Sequence, residues 1–69
     1  MEMIPVDSSN LAAIGYNAEN GTLKIQFNNG RAYEYYGVPE SEFDNLLNAS
    51  SKGQYANQNI YKAYSQSEV

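Results

Sequence analysis

The sequence predicts an α+β domain, a three-stranded antiparallel meander packed against one or two C-terminal helices in the order βββαα. Three observations carry this. Apolar and polar residues alternate over 22–27, with Leu23, Ile25 and Phe27 on one side and Lys24 and Gln26 on the other. Glycine-bearing turn segments, Ala18-Glu19-Asn20-Gly21 and Asn28-Asn29-Gly30, bracket that run. Beyond Pro39 the apolar period becomes helical, with Phe43, Leu46 and Leu47 at i, i+3, i+4.

Each element follows in turn. Residues 1–5 and 65–69 are expected as flexible tails around one domain of residues 6–64. Asp7-Ser8-Ser9-Asn10 reads as a turn entering a first strand, Leu11 to Asn17. A four-residue loop, 18–21, pairs Tyr16 with Leu23 and Ile14 with Ile25 in a second strand, Thr22 to Phe27. The next hairpin decides more. A two-residue Asn29-Gly30 loop would pair Ile25 with Glu34, whereas a three-residue loop ending in a left-handed Gly30 pairs Ile25 with Tyr33 and Leu23 with Tyr35. A one-residue slip exchanges core and solvent faces. Burial selects the three-residue loop, giving an inner face of Ile14, Tyr16, Leu23, Ile25, Phe27, Tyr33 and Tyr35. The outer face, Ala13, Gly15, Lys24, Gln26, Glu34 and Tyr36, is expected to be wet.

Pro39 suits the first turn of a helix running to about Ser50, where Glu40, Glu42 and Asp44 complement the helix dipole. Gly53 reads as its stop, and Asn57 as the cap of a shorter helix, Gln58 to Tyr64.

Composition narrows the function. The 69 residues include eight acidic and four basic side chains, for a net charge of −4, and neither cysteine nor histidine. Lys24, Arg31, Lys52 and Lys62 form no run, which is poor for a phosphate backbone. Without His or Cys, and with scattered carboxylates, no metal site or cofactor is expected. Ser8 and Ser9 have no histidine base, and a Ser–Lys52 pair is only formal, so no catalytic residue is assigned and an enzyme is not expected. No apolar run approaches the roughly 20 residues that span a bilayer, and the start lacks the basic and apolar regions of a signal peptide. A cytoplasmic protein is the expectation.

Tyrosine is the unusual component, with seven against two phenylalanines and no tryptophan. Two aromatics at i, i+2 on a sheet face, as Tyr33 and Tyr35 are, can stack bases. Sharing a face with Leu23 and Ile25, they are expected in the core instead. Tyr36 should point outward beside Lys24. Ser50-Ser51-Lys52-Gly53-Gln54-Tyr55-Ala56-Asn57 offers hydroxyls, backbone N–H groups and one cation for an anion, or simply a helix stop, a turn and a cap. Its glycine spacing is not that of a P-loop. The candidate binding residues are therefore Tyr36, Lys24, Ser51, Lys52, Gly53, Tyr55 and Asn57.

Several segments together resemble the KTSC domain family. They are Val6-Asp7-Ser8-Ser9 with Ile14-Gly15-Tyr16, then Leu23, Ile25, Phe27, Gly30, Tyr33-Glu34-Tyr35 and Val38-Pro39, then 49–57 with Ile60 and Tyr64. The family is named for its place at the C-terminus of some lysyl-tRNA synthetases, and it also occurs as small free-standing bacterial and phage proteins. Ala56 departs from it, standing where the family tends to a larger, often aromatic residue, which argues against a stacking platform there. The resemblance implies a small module and raises RNA binding as one role. The acidic balance and tyrosine content favour a protein partner or self-association.

Overall fold

Five strands, β1 (Met3–Pro5), β2 (Leu11–Asn17), β3 (Thr22–Phe27), β4 (Ala32–Tyr36) and β5 (Ser65–Glu68), pair in sequence order into one antiparallel sheet. Helices α1 (Glu40–Asn48) and α2 (Lys52–Asn59) intervene between β4 and β5. The computed structural model describes all residues, Met1–Val69.

The α+β class and the central meander agree with expectation. Tyr16 pairs with Leu23 and Ile14 with Ile25, while Ile25 pairs with Tyr33 and Leu23 with Tyr35. The second hairpin turns through Gly30 at φ 91°, with its N–H donating to the Phe27 carbonyl at 3.0 Å. Only glycine takes that backbone conformation without strain. One irregularity lies between Leu11 and Ala13, where an extra residue on β2 bends the strand.

The sheet has two more strands than the sequence predicts. Residues 1–5 and 65–69, expected as free tails, supply β1 and β5 along the outer edges of β2 and β4. A three-stranded sheet would leave two rows of backbone N–H and C=O groups unpaired, and the terminal segments pair them. Ser65–Glu68 is exposed at every position, so the main-chain ladder holds it and no apolar alternation announces it.

The core lies between the inner sheet face and the helices. Leu11, Ile14, Leu23, Ile25, Tyr35, Val38, Leu46, Ala56 and Ile60 form one buried cluster. Leu46 anchors α1, with Phe43 and Leu47 packed beside it, as the i, i+3, i+4 stripe requires. Pro39 sits just outside α1 as its N-cap. The outer face is drier than expected. Ala13 and Gly15 are buried, because a Cβ on Gly15 would lie 2.7 Å from Met3 Sδ and 2.8 Å from the Glu2 carbonyl. The N-terminal segment therefore covers that part of the face.

The second helix begins six residues earlier than predicted. Ser51, not Asn57, is its cap, with Ser51 Oγ accepting from the Gln54 N–H at 3.4 Å. Gly53 is helical, not a positive-φ stop, since only Gly21, Gly30 and Gly37 have positive φ. It lies against Asn10, whose Nδ2 would be 3.5 Å from an added Cβ. Residues 60–63, expected as helix, form a turn that leads back to the sheet. No helix is long and apolar enough to cross a membrane.

Candidate functional site

The sequence-derived candidates fall into two groups on opposite sides of the sheet. Lys24 and Tyr36 share the outer face, where Tyr36 is exposed and its hydroxyl donates to Glu34 Oε1 at 3.2 Å. Ser51, Lys52, Gly53, Tyr55 and Asn57 lie on or at the start of α2, which covers the inner face. The two groups do not form one site.

Within the α2 group, the anion-holding groups are already engaged. Ser51 Oγ caps the helix, and Lys52 Nζ donates to the Ala49 carbonyl at 3.2 Å, closing the end of α1. The Tyr55 hydroxyl donates to Glu42 Oε1, and Asn57 is exposed on the helix surface. Tyr64 donates to the other carboxylate oxygen, Glu42 Oε2, at 2.9 Å. Glu42, read from sequence only as a dipole-complementing residue, is thus held by two phenols. Its bond raises the Tyr55 pKa; burial, then Glu42, raises that of Tyr64.

The aromatic side chains at the two ends of the inner face are all partly buried but differently arranged. At one end Tyr16 stacks on Phe43 with ring centroids 5.2 Å apart and planes 13° apart, and its hydroxyl donates to the Val38 carbonyl at 2.5 Å. At the other end Phe27, Tyr33 and Tyr61 are only partly buried. They line a groove of about 350 Å³ with Tyr35, Asn10 and Gln66. Strand alternation puts Phe27, Tyr33 and Tyr35 on this face, and the turn after α2 brings Tyr61 over them.

The ring geometry is a set of walls, not a flat platform. Phe27 meets Tyr33 at 82° and Tyr61 at 54°, with centroids 6.0 Å apart in both pairs. Tyr35 and Tyr61 lie 6.0 Å apart with planes 26° apart. Burial, then the neighbouring Tyr61 and Tyr33 phenols, pushes the Tyr35 pKa up to about 12, and burial raises that of Tyr61. Both stay protonated at neutral pH. At the rim the Tyr33 hydroxyl donates to Glu68 Oε1 at 3.5 Å. No basic side chain lines the groove.

Tyr35 lies in the core as its strand face predicts, at 3% exposure, but Tyr33 lies at the open margin. Tyr61 and Glu68 are not among the sequence-derived candidates. Ser51-x-x-Gln54 is a capping-box spacing that would have moved α2 to its true start and left Tyr61 just beyond its end.

The comparisons with known proteins agree with this architecture. The family model for the KTSC domain matches residues 7–64. A protein of Tsukamurella paurometabola is 44% identical over 55 residues, which cover 80% of this chain and 82% of that one. A lysine–tRNA ligase of Nostoc punctiforme is 38% identical over 58 residues, 84% of this chain but 10% of the ligase. The crystal structure of a KTSC domain protein from Yersinia pestis superposes with a TM-score of 0.93 at 36% identity, covering 99% of this chain and 96% of that one.

Proposed function

The chain belongs to the KTSC domain family, and on that premise we propose that it is a small non-catalytic interaction module that binds a protein through the open, tyrosine-lined end of its inner face. One observation carries this reading: Tyr16 is spent in stacking on Phe43, whereas Phe27, Tyr33 and Tyr61 stand partly exposed as the walls of a groove. Tyrosine is favoured at interfaces because it brings large contact area with few rotors. A partner here includes a second copy of the chain.

The polar groups support a binding role over chemistry. Ser8 Oγ accepts from the Asn10 and Leu11 N–H groups at 3.3 and 3.2 Å, which fixes a turn, and no base stands beside it. Lys52 is bonded to a backbone carbonyl. The same unit makes up most of the Tsukamurella protein and a tenth of the Nostoc ligase, which suits a part that confers contact. The cytoplasm is the proposed compartment, in keeping with a chain that has no cysteine.

A second reading, contact with RNA, draws on the lysine–tRNA ligase relatives. Against it, Lys24 is on β3, Arg31 in the β3–β4 turn, Lys52 on α2 and Lys62 in the turn after α2, in a chain of net charge −4. Phosphate binding draws on clustered cations.

Affinity purification of the intact chain with and without nuclease, from the wild type, Tyr61→Ala and Lys24→Ala, separates the readings. The protein-binding reading expects a nuclease-resistant protein held in stoichiometric yield, lost with Tyr61→Ala and kept with Lys24→Ala. Loss on nuclease treatment, or on Lys24→Ala alone, favours RNA.

A further inference from the structure

The open groove has a chemistry narrower than "protein surface". Its walls are three partly buried rings, Phe27, Tyr33 and Tyr61, set at 82° and 54° to one another. Aromatic faces carry the negative lobe of the ring quadrupole and attract cations within about 6 Å of the centroid. The rim holds a carboxylate, Glu68, next to Tyr33, and the lining adds the side-chain amides of Asn10 and Gln66. No lysine or arginine of the chain lines it, so the site's own field is uncompensated within a protein of net charge −4. The ring faces and the carboxylate favour a positive guest, and the two amides can turn their oxygens to it.

We propose that this groove receives an arginine side chain of a protein partner, with the guanidinium against the Tyr33 and Tyr61 rings and its N–H groups donating to Glu68 and to the amide oxygens of Asn10 and Gln66. The proposal rests on the protein-binding reading above and names the chemistry of the partner. Arginine fits better than the other cations. Its planar fork stacks on rings and carries five donors, matching a rim of acceptors. A quaternary ammonium has no donor for that rim, and lysine offers no plane to stack. A nucleobase fits poorly. A base inserted between two rings needs them about 7 Å apart and parallel, whereas Tyr35 and Tyr61 lie at 6.0 Å and Phe27 is nearly perpendicular to Tyr33. The phosphate that accompanies a base would also meet Glu68.

The test is a heteronuclear NMR titration of the intact chain with a blocked glycine–arginine–glycine peptide. The same peptide carrying citrulline, which keeps the shape and loses the charge, is the control, with adenosine monophosphate as a separate arm. The expected result is saturable shifts at the amides of Tyr33, Tyr61, Gln66 and Glu68, at least tenfold weaker with citrulline. Tyr61→Ala should abolish them and Tyr61→Phe should keep them. Glu68→Gln, on the exposed edge strand where folding is not at stake, should weaken binding several-fold. Equal binding of citrulline, tighter shifts with the nucleotide at the same amides, or an unaltered affinity in Glu68→Gln would overturn the proposal. If the arginine peptide fails while Tyr61-dependent, nuclease-resistant protein capture persists, this inference falls alone. If the peptide binds and no protein is captured, the broader reading falls and takes the protein partner with it, leaving only the groove's affinity for a guanidinium.

Discussion

The Tyr64 hydroxyl donates to Glu42 Oε2 at 2.9 Å, joining residues 22 apart in the chain, while the Tyr55 hydroxyl takes the other oxygen. One carboxylate near the start of α1 thereby ties down α2 and the segment that leads into β5. Hydrogen bonds to a charged acceptor contribute more than neutral ones, but solvent reaches these groups and screens them. Glu42→Ala is expected to lower stability by about 1 kcal/mol, and Glu42→Gln by less. Urea denaturation measures this. An unchanged midpoint in Glu42→Ala would mean the clasp is idle.

Alkali should weaken the fold through its phenols. Tyr35 ionises in the folded chain at about 12, against an ordinary value of 10.0, because burial disfavours the phenolate. A folded pKa raised above the unfolded one gives stability that is complete below pH 10 and disappears as pH rises through about 12. Tyr55, Tyr61 and Tyr64 are shifted in the same direction. Urea midpoints should therefore fall across that window, and Tyr35→Phe should fall less steeply. A flat profile into strong alkali would contradict the burial of Tyr35.

Gly53 offers a sharp test of the second helix. Its φ is not positive, and a Cβ would sit 3.5 Å from Asn10 Nδ2, an ordinary contact. Gly53→Ala should stabilise the domain by about 0.5–1 kcal/mol, because alanine gives up less backbone entropy in a helix than glycine. A glycine acting as a left-handed helix stop would give a loss of similar size. The sign of the change in thermal midpoint decides between them.

Gly15 holds the first strand in place by lacking a side chain. A Cβ there would lie 2.8 Å from the Glu2 carbonyl, which is backbone and yields little. Gly15→Val is expected to detach β1 while the core persists. The Val6 N–H, bonded to the Ala12 carbonyl at 3.1 Å, should then lose its protection in amide exchange. Retained protection at Val6 would show that the N-terminal segment adapts.

The central meander was legible because one-sided burial dictates its register. Leu23, Ile25 and Phe27 alternate strictly, and only a three-residue turn at Gly30 puts Tyr33 and Tyr35 with them. The edge strands were not legible. Ser65–Glu68 pairs chiefly through its main chain, and any polar sequence without proline can do that. The start of α2 was written in Ser51 and Gln54, but Gly53 between them read more strongly as a stop. Misplacing that helix concealed Tyr61, and with it the groove. The Glu42 clasp depends on residues 13 and 22 positions away, a separation that no local pattern encodes.

The most direct measurement of whether the open aromatic end is the working surface is photo-cross-linking in cells. A photoreactive phenylalanine analogue would replace Tyr61 in one variant and Lys24, on the opposite face, in another. A discrete protein adduct that withstands nuclease is expected from position 61, and none from position 24. Equal adducts from both faces, or an adduct from position 61 that nuclease removes, would contradict that assignment.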